Sequence, residues 1–342
     1  MLRHFLSRSK NERNMLYPIK FIPRLKERLW GGTELLSRVK QGKGAKIDPT
    51  KPYGESWDLS SVAGDESVVA NGYLKRNTIE EIVEVYMGNL VGEKNYDRYG
   101  LTFPLLIKSL ECCDTLSVQV HPDDELAAER HDSYGKTEMW YIAGCREGAA
   151  IYIGFKDANL SREQYLEAVN EDRLPEIMNR VEVKKGDVFF IPAGTIHALG
   201  SGVDVIEIQQ TSDITYRIYD WNRVDDKGQP RELHTALAVD AIDFGSDADA
   251  CYKRYTTKEN QAVGIVDCPY FTTNAIALNG KKEFDYSSLD SFVLYICAEG
   301  EADVVMGEHT EHITPYELVL IPAEADVVEL RGQATLLEVY IK

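Results

Sequence analysis

The sequence predicts a mainly β protein made of two sandwich-type or barrel-type units. Three observations lead there. Short segments rich in β-branched and aromatic residues recur at 116–120, 140–142, 150–153, 188–192 and 203–209, each bounded by Gly, Asp or Pro. The stretch VKKGDVFFIPAGTIHAL (183–199) matches HITPYELVLIPAEADVVEL (312–330), since both run an apolar strand into Ile-Pro-Ala. Ile191, Pro192 and Ala193 then align with Ile321, Pro322 and Ala323, which puts His197 opposite Val327 and Gly194 opposite Glu324. One copy keeps a polar residue that the other lacks, as expected of a duplication, although turn–strand–turn patterns also coincide by chance. Finally, 342 residues at about 150 per domain leave room for two units, each with its own core.

Helices are fewer. Asn77 and Glu80 have the spacing of a capping box ahead of Ile79, Ile82, Val83 and Tyr86, and Ser161 with Gln164 repeats it. A short helix is expected after Pro122, capped by Asp123.

Composition narrows the function. Lys plus Arg number 38 against 56 Asp plus Glu, a net charge of -18, and so acidic a surface repels phosphate backbones. Nucleic acid is therefore not expected as a partner. No uncharged apolar run reaches the roughly 18 residues of a membrane helix, so no membrane partner is expected either. The six cysteines form no CxxC pair, which suits reduced thiols and a cytoplasmic location. Residues 1–14 carry Arg3, Arg8, Lys10 and Arg13 against Glu12 and contain no apolar core, so they read as a disordered arm rather than a secretory signal; a start codon assigned too far upstream would look the same.

Two segments could carry chemistry. In LSVQVHPDD, strand alternation puts Ser117, Gln119 and His121 on one face and Leu116, Val118 and Val120 on the other. A lone strand histidine is usually a satisfied core residue, so the partners decide the matter. In GDVFFIPAGTIH, the spacing G-x5-P-x-G-x2-H lets Gly186 and Asp187 turn into a strand, Pro192 end it, and Gly194 bend the chain so that His197 returns toward the interior. This spacing resembles the second motif of the cupin superfamily, jelly-roll barrels whose histidine there is a metal ligand. The first cupin motif is only partly present: Gln119-Val120-His121 stands where HxH is usual, and Glu138 lies beyond an inserted helix.

Taken together, LSVQVHPDDE, GKTEMWYI, GDVFFIPAGTIHALG and EIQQTSDITYRIYDWNR resemble the type I mannose-6-phosphate isomerases in their short bacterial form. LWGG (29–32), YGESWDLS (53–60), FPLLIKSL (103–110) and GQPRELH (228–234) extend the likeness from about Pro18 to the carboxyl end. The resemblance implies two cupin barrels: a catalytic one over 15–245 with helical elaboration, and a degenerate one over 246–342 without metal. It implies one zinc ion per chain, held by His121, Glu138 and His197 with Gln119 as an additional or weaker ligand. Two imidazoles, a carboxylate and an open position are in any case the donor set of a catalytic zinc site.

The implied reaction interconverts mannose 6-phosphate and fructose 6-phosphate by moving a proton between C1 and C2 through a cis-enediol. Lys136 and Glu207 are the candidate bases, and Arg217 suits an enediolate or phosphate oxygen better than proton abstraction. Ser117, Arg217 and Arg223 match positions that contact substrate or phosphate in the longer eukaryotic-type enzymes, although a lysine stands there at the position of Arg223. Salt bridges within the sheet are the bland reading of Lys136, Glu207 and Arg217. Three other readings remain at this point: a non-catalytic sugar-binding cupin, an iron-dependent cupin oxygenase, and a cupin glucose-6-phosphate isomerase.

Overall fold

A computed structural model describes residues 16–224, 227–245 and 248–342. The arm expected at 1–14 lies outside the described residues.

Residues up to about 224 form two facing antiparallel sheets. The larger runs Val188–Ile191, Glu138–Cys145, Val203–Gln210, Leu105–Cys112, Tyr53–Leu59, Arg24–Gly32. The smaller runs Tyr216–Tyr219, Val118–Val120, His197–Leu199, Ala150–Phe155, Met178–Glu182. Alternation divides each strand between two interiors. On the larger sheet Leu110, Ile142, Val203 and Val205 point toward Ile151, Ile153 and Leu199 of the smaller one and fill the space between the sheets. The intervening Leu105, Ile107, Met139, Ile206 and Ile208 point away. On the smaller sheet the outer residues Val118, Val120, Ala198 and Ile218 are covered by Tyr165, Leu174 and Ala238.

The second unit is a sheet ordered Ala262–Asp267, Thr272–Asp285, Val327–Tyr340, Val293–Met306, His309–Ile313, with Leu318–Ile321 also paired to Val293–Met306. It folds over its own core of Ile276, Tyr295, Val319 and Leu336. Its outer residues Leu294, Ile296, Leu337 and Val339 share one continuous apolar cluster with the outward-facing residues of the larger sheet. Ile19 seals the joint by pairing with Leu320 through two backbone hydrogen bonds of 2.8 Å.

The short helices follow the expected caps with one displacement. Asp123 accepts from the Leu126 amide at the head of Asp124–His131, and Ser161 with Gln164 closes a full capping box on Arg162–Asn170. The box on Ile79–Tyr86 belongs to Thr78 and Glu81, one residue beyond the expected Asn77 and Glu80. Asn77 instead donates to the Leu74 carbonyl inside the preceding turn, which takes it out of capping reach. A single helical turn at Leu174–Ile177 also lies between Glu138 and His197, in addition to the expected Ser161 helix.

Candidate metal centre and active site

Three elements bring His121, Glu138 and His197 together. His197 opens its strand directly opposite Gln119, and Gln119 is in turn opposite Arg217, so Arg217, Gln119 and His197 form one cross-strand row on the smaller sheet. His121 follows just past the end of the same strand as Gln119. Gly194, held at φ 88°, donates its N–H to the His121 carbonyl at 2.9 Å and ties the histidine-bearing bend to that strand. Glu138 begins its strand on the facing sheet.

The three side chains are fully buried, and each offers a ligand atom within 4.8 Å of the others. Glu138 Oε2 is 3.5 Å from His121 Nε2, and Oε1 is 3.4 Å from His197 Nε2. Donors about 2.1 Å from a common tetrahedral centre stand ~3.4 Å apart, so these separations suit a small divalent ion. Both imidazoles are oriented from behind: His121 Nδ1 is 3.0 Å from the Ile214 carbonyl and His197 Nδ1 2.8 Å from the Thr195 carbonyl. A carbonyl only accepts, so each ring keeps its proton on Nδ1 and turns the Nε2 lone pair toward the centre.

Electrostatics agree. Burial, with Lys136 and His197 nearby, holds His121 well below the ordinary histidine range. Burial likewise brings His197 down to about 4. Both rings are therefore neutral, the form that ligates metals. Neither Glu138 oxygen accepts a well-aligned hydrogen bond from the described residues, although both are buried. Burial and the neighbouring Glu207 raise its carboxyl, against the pull of Lys136. A cation already sits among these donors: the Lys136 ammonium is 2.8 Å from Glu138 Oε2 and 3.0 Å from His121 Nε2. The residues present thus fit a divalent metal.

Above the cluster opens a cavity of about 450 Å³, whose lining includes Gln119, Lys136, Ser117, Glu207 and Arg217. Gln119 Nε2 approaches His197 Nε2 at 3.3 Å, which places its amide at the edge of the donor set. Glu207 is held from two sides, by Lys108 Nζ at 2.9 Å and Trp140 Nε1 at 3.0 Å. Burial opposes its charge, but Lys108 and Lys136 outweigh burial and bring it down to about 2. Arg217 donates Nη1 to the Glu232 carbonyl at 2.9 Å. Arg223 reaches the same corner but spends its guanidinium on Asp220 and the Thr115 carbonyl.

Two members of this cavity, Lys108 and Arg231, lie within the FPLLIKSL and GQPRELH stretches but were given no role from the sequence. Lys108 could have been found as a lysine within the mainly apolar, fully buried strand Leu105–Cys112, where burial demands a counter-charge. Trp57, wedged between the Lys26 and Lys108 ammonium groups, walls the far side.

A barrel of two facing sheets with a buried His–Glu–His cluster beneath a polar cavity defines a cupin of the metal-binding kind. Residues 19–143 match the family model for the phosphomannose isomerase type I catalytic domain, and residues 263–341 the mannose-6-phosphate isomerase cupin domain. A mannose-6-phosphate isomerase of Bacillus subtilis is 35% identical over 93% of this chain and 96% of its own length. That of Streptococcus mutans is 32% identical over 86% and 90%. The crystal structure of the mannose 6-phosphate isomerase from Bacillus subtilis superposes with a TM-score of 0.84 at 33% identity, covering 95% of this chain and all of that one. This chain belongs to the type I phosphomannose isomerase family, whose members are aldose–ketose isomerases.

Proposed function

We propose that the protein interconverts D-mannose 6-phosphate and D-fructose 6-phosphate, with one zinc ion per chain, by passing a proton between C1 and C2 through a cis-enediol. The observation that supports this best is the convergence of His121, Glu138 and His197 on one buried point beneath a cavity walled by arginines. Gln119, at the cavity edge of the cluster, would be an additional ligand. When bound, a divalent ion in this donor set polarises a carbonyl or hydroxyl oxygen and offsets developing negative charge.

The protein's own groups supply the rest. Lys136 Nζ borders both the ligands and the cavity, and we assign the proton transfer to it. Glu207 is saturated by Lys108 and Trp140 and kept ionised, so its role is to hold Lys108 charged at the cavity wall. Arg217, one strand from Gln119, is placed to receive substrate oxyanions, with Ser117 beside it on the cavity lining. The second unit, from about 246 onward, serves as a buttress for the larger sheet.

A coupled assay with mannose 6-phosphate, run in deuterated water on metal-analysed protein, tests the reading. Turnover with solvent deuterium incorporated at the C1–C2 unit is the expected result. Metal binding without exchange would make this a sugar-binding cupin instead.

A further inference from the structure

Among its described residues, 216–224 and 227–231, one corner of the cavity sets several guanidinium groups around a single buried carboxylate. Three guanidinium groups, those of Arg217, Arg223 and Arg231, gather around one buried carboxylate, Asp220. On the opposite wall each cavity-lining cation, Arg28, Lys26 and Lys108, has a carboxylate partner. There Arg28 makes a two-pronged pair with Glu55 at 2.8 and 3.0 Å, Arg24 and Lys26 share Asp65, and Lys108 is matched by Glu207. At the Asp220 corner the other described carboxylates, Asp114 and Glu232, are exposed, and water screens them. Burial and the Arg231 charge both work against the Arg217 cation, which Asp220 only partly relieves. An anion placed here would relieve it further.

The three arginines are not equivalent. Arg223 is fully engaged: Nη2 donates to Asp220 Oδ1 at 2.6 Å, Nε to the Asp220 carbonyl at 3.3 Å, and Nη1 to the Thr115 carbonyl. It does not line the cavity, whereas Arg217 and Arg231 do. Arg231 uses Nε and Nη2 on the Asp220 carboxylate, at 2.7 and 2.5 Å, and its Nη1 makes no hydrogen bond among the described residues. Arg217 keeps a buried Nε without a hydrogen-bond partner among the described residues. Arg231 Nη1 and the cavity-lining guanidinium of Arg217 are therefore left for a ligand, while Arg217 Nε is itself enclosed.

We propose that Arg231 is, with Arg217, the phosphate-holding residue of the substrate site, and that Asp220 and Arg223 are positioning residues that aim Arg231 and fasten it to the loop at Thr115. This rests on the sugar-phosphate isomerase reading and extends it to a residue of the GQPRELH stretch to which the sequence assigned no role. It also accounts for an anionic substrate reaching a chain of net charge -18, since the attraction is local and bidentate rather than global.

The test compares Arg231→Ala, Arg231→Lys and Arg223→Ala, each checked for metal content and melting temperature. Three quantities are read: KM and kcat for mannose 6-phosphate, the inhibition constant of inorganic phosphate, and kcat/KM for unphosphorylated mannose. Arg231→Ala is expected to weaken mannose 6-phosphate and inorganic phosphate about 10- to 100-fold, the loss of a charged hydrogen-bonding group, with the mannose value held within about twofold. Arg231→Lys recovers part of that loss, because the charge returns without the fork. Arg223→Ala is expected to lower the melting temperature and to weaken phosphate less than Arg231→Ala does. A folded, metal-loaded Arg231→Ala enzyme whose phosphate inhibition constant stays within about threefold of wild type overturns the proposal, as does a larger phosphate loss in Arg223→Ala. Wild-type protein that binds inorganic phosphate without isomerising mannose 6-phosphate would overturn the isomerase reading and leave the anion site standing.

Discussion

Glu338 occupies in the second unit the register position that Glu207 occupies in the first. Glu207 lies opposite Trp140 on one neighbouring strand and Lys108 on the other; Glu338 lies opposite Tyr295 and Asn274. Both strands sit between equivalent neighbours in sheets of the same order. Continuing along the ladders, Ile191 pairs with Glu138 and Ile321 with Val293, while His197 pairs with Gln119 and Val327 with Asp285. The Ile-Pro-Ala alignment seen in the sequence therefore holds in three dimensions. At the positions of Gln119, Glu138 and His197 the second unit carries Asp285, Val293 and Val327. Its buried carboxylate has been turned to structural use, accepting from Asn274 at 2.6 Å and from Tyr286, with burial raising its carboxyl.

The buried Lys108–Glu207 pair sets the first prediction. Glu207→Gln leaves the Lys108 ammonium with Glu55 as its remaining partner, so unfolding by denaturant should show a loss of about 3 kcal/mol, the low end for breaking a buried pair. The double substitution Lys108→Met with Glu207→Leu should regain most of that stability. Turnover should stay low in both variants, since the Lys108–Glu207 pair that lines the cavity is broken in each. Full activity in the double variant would remove the pair from the chemistry.

Metal removal gives the second. Chelation should lower the melting temperature, and readdition of zinc at about 100 times its dissociation constant should restore about 2.7 kcal/mol. His197→Ala and Glu138→Gln should lose bound metal by elemental analysis, whereas Arg217→Ala should keep its metal and lose turnover. Loss of metal along with activity in Arg217→Ala would show that its role has been misassigned.

A third prediction concerns acid stability at the joint between the units. Burial opposes the charge of Glu317, but Lys20, Lys43 and Thr314 hold it down to about 2. A carboxyl with a lower pKa folded than unfolded stabilises above its unfolded value and loses that contribution as pH falls toward its folded value. The stability difference between wild type and Glu317→Gln should thus be on the order of 3 kcal/mol at neutral pH, and should shrink between about pH 5 and 2. A difference that does not change over that window would contradict the assignment.

The strands and the bend carrying His197 were legible because both leave short-range marks, whereas Glu138 entered only through the family resemblance. Period-two alternation and Gly-Asp or Pro boundaries located the β-segments, and fixed spacings around Gly186, Gly194 and His197 marked the bend that carries His197. The Ile79–Tyr86 cap was misplaced by one residue because Asn77 with Glu80 and Thr78 with Glu81 satisfy the same spacing, and only the competing bond from Asn77 to Leu74 decides between them. The short helices Leu35–Val39, Gly88–Val91 and Glu93–Tyr99 had no signal of their own, since helices of this length are held by tertiary packing. Arg231 stayed hidden because its significance comes from Asp220, eleven residues away, and from a cavity that exists only once the sheets are paired.

The larger sheet of the first unit shows one oily surface to the second unit and one polar surface to the cavity. A chain cut near residue 245 would bare Ile107, Met139, Ile206 and Ile208 to water, so the amino-terminal part is not a detachable module and would precipitate rather than work alone. Heating the intact protein should accordingly melt both units in a single step, and damage far from the His121–Glu138–His197 cluster, at Leu294 or Leu337, should be felt as lost catalysis.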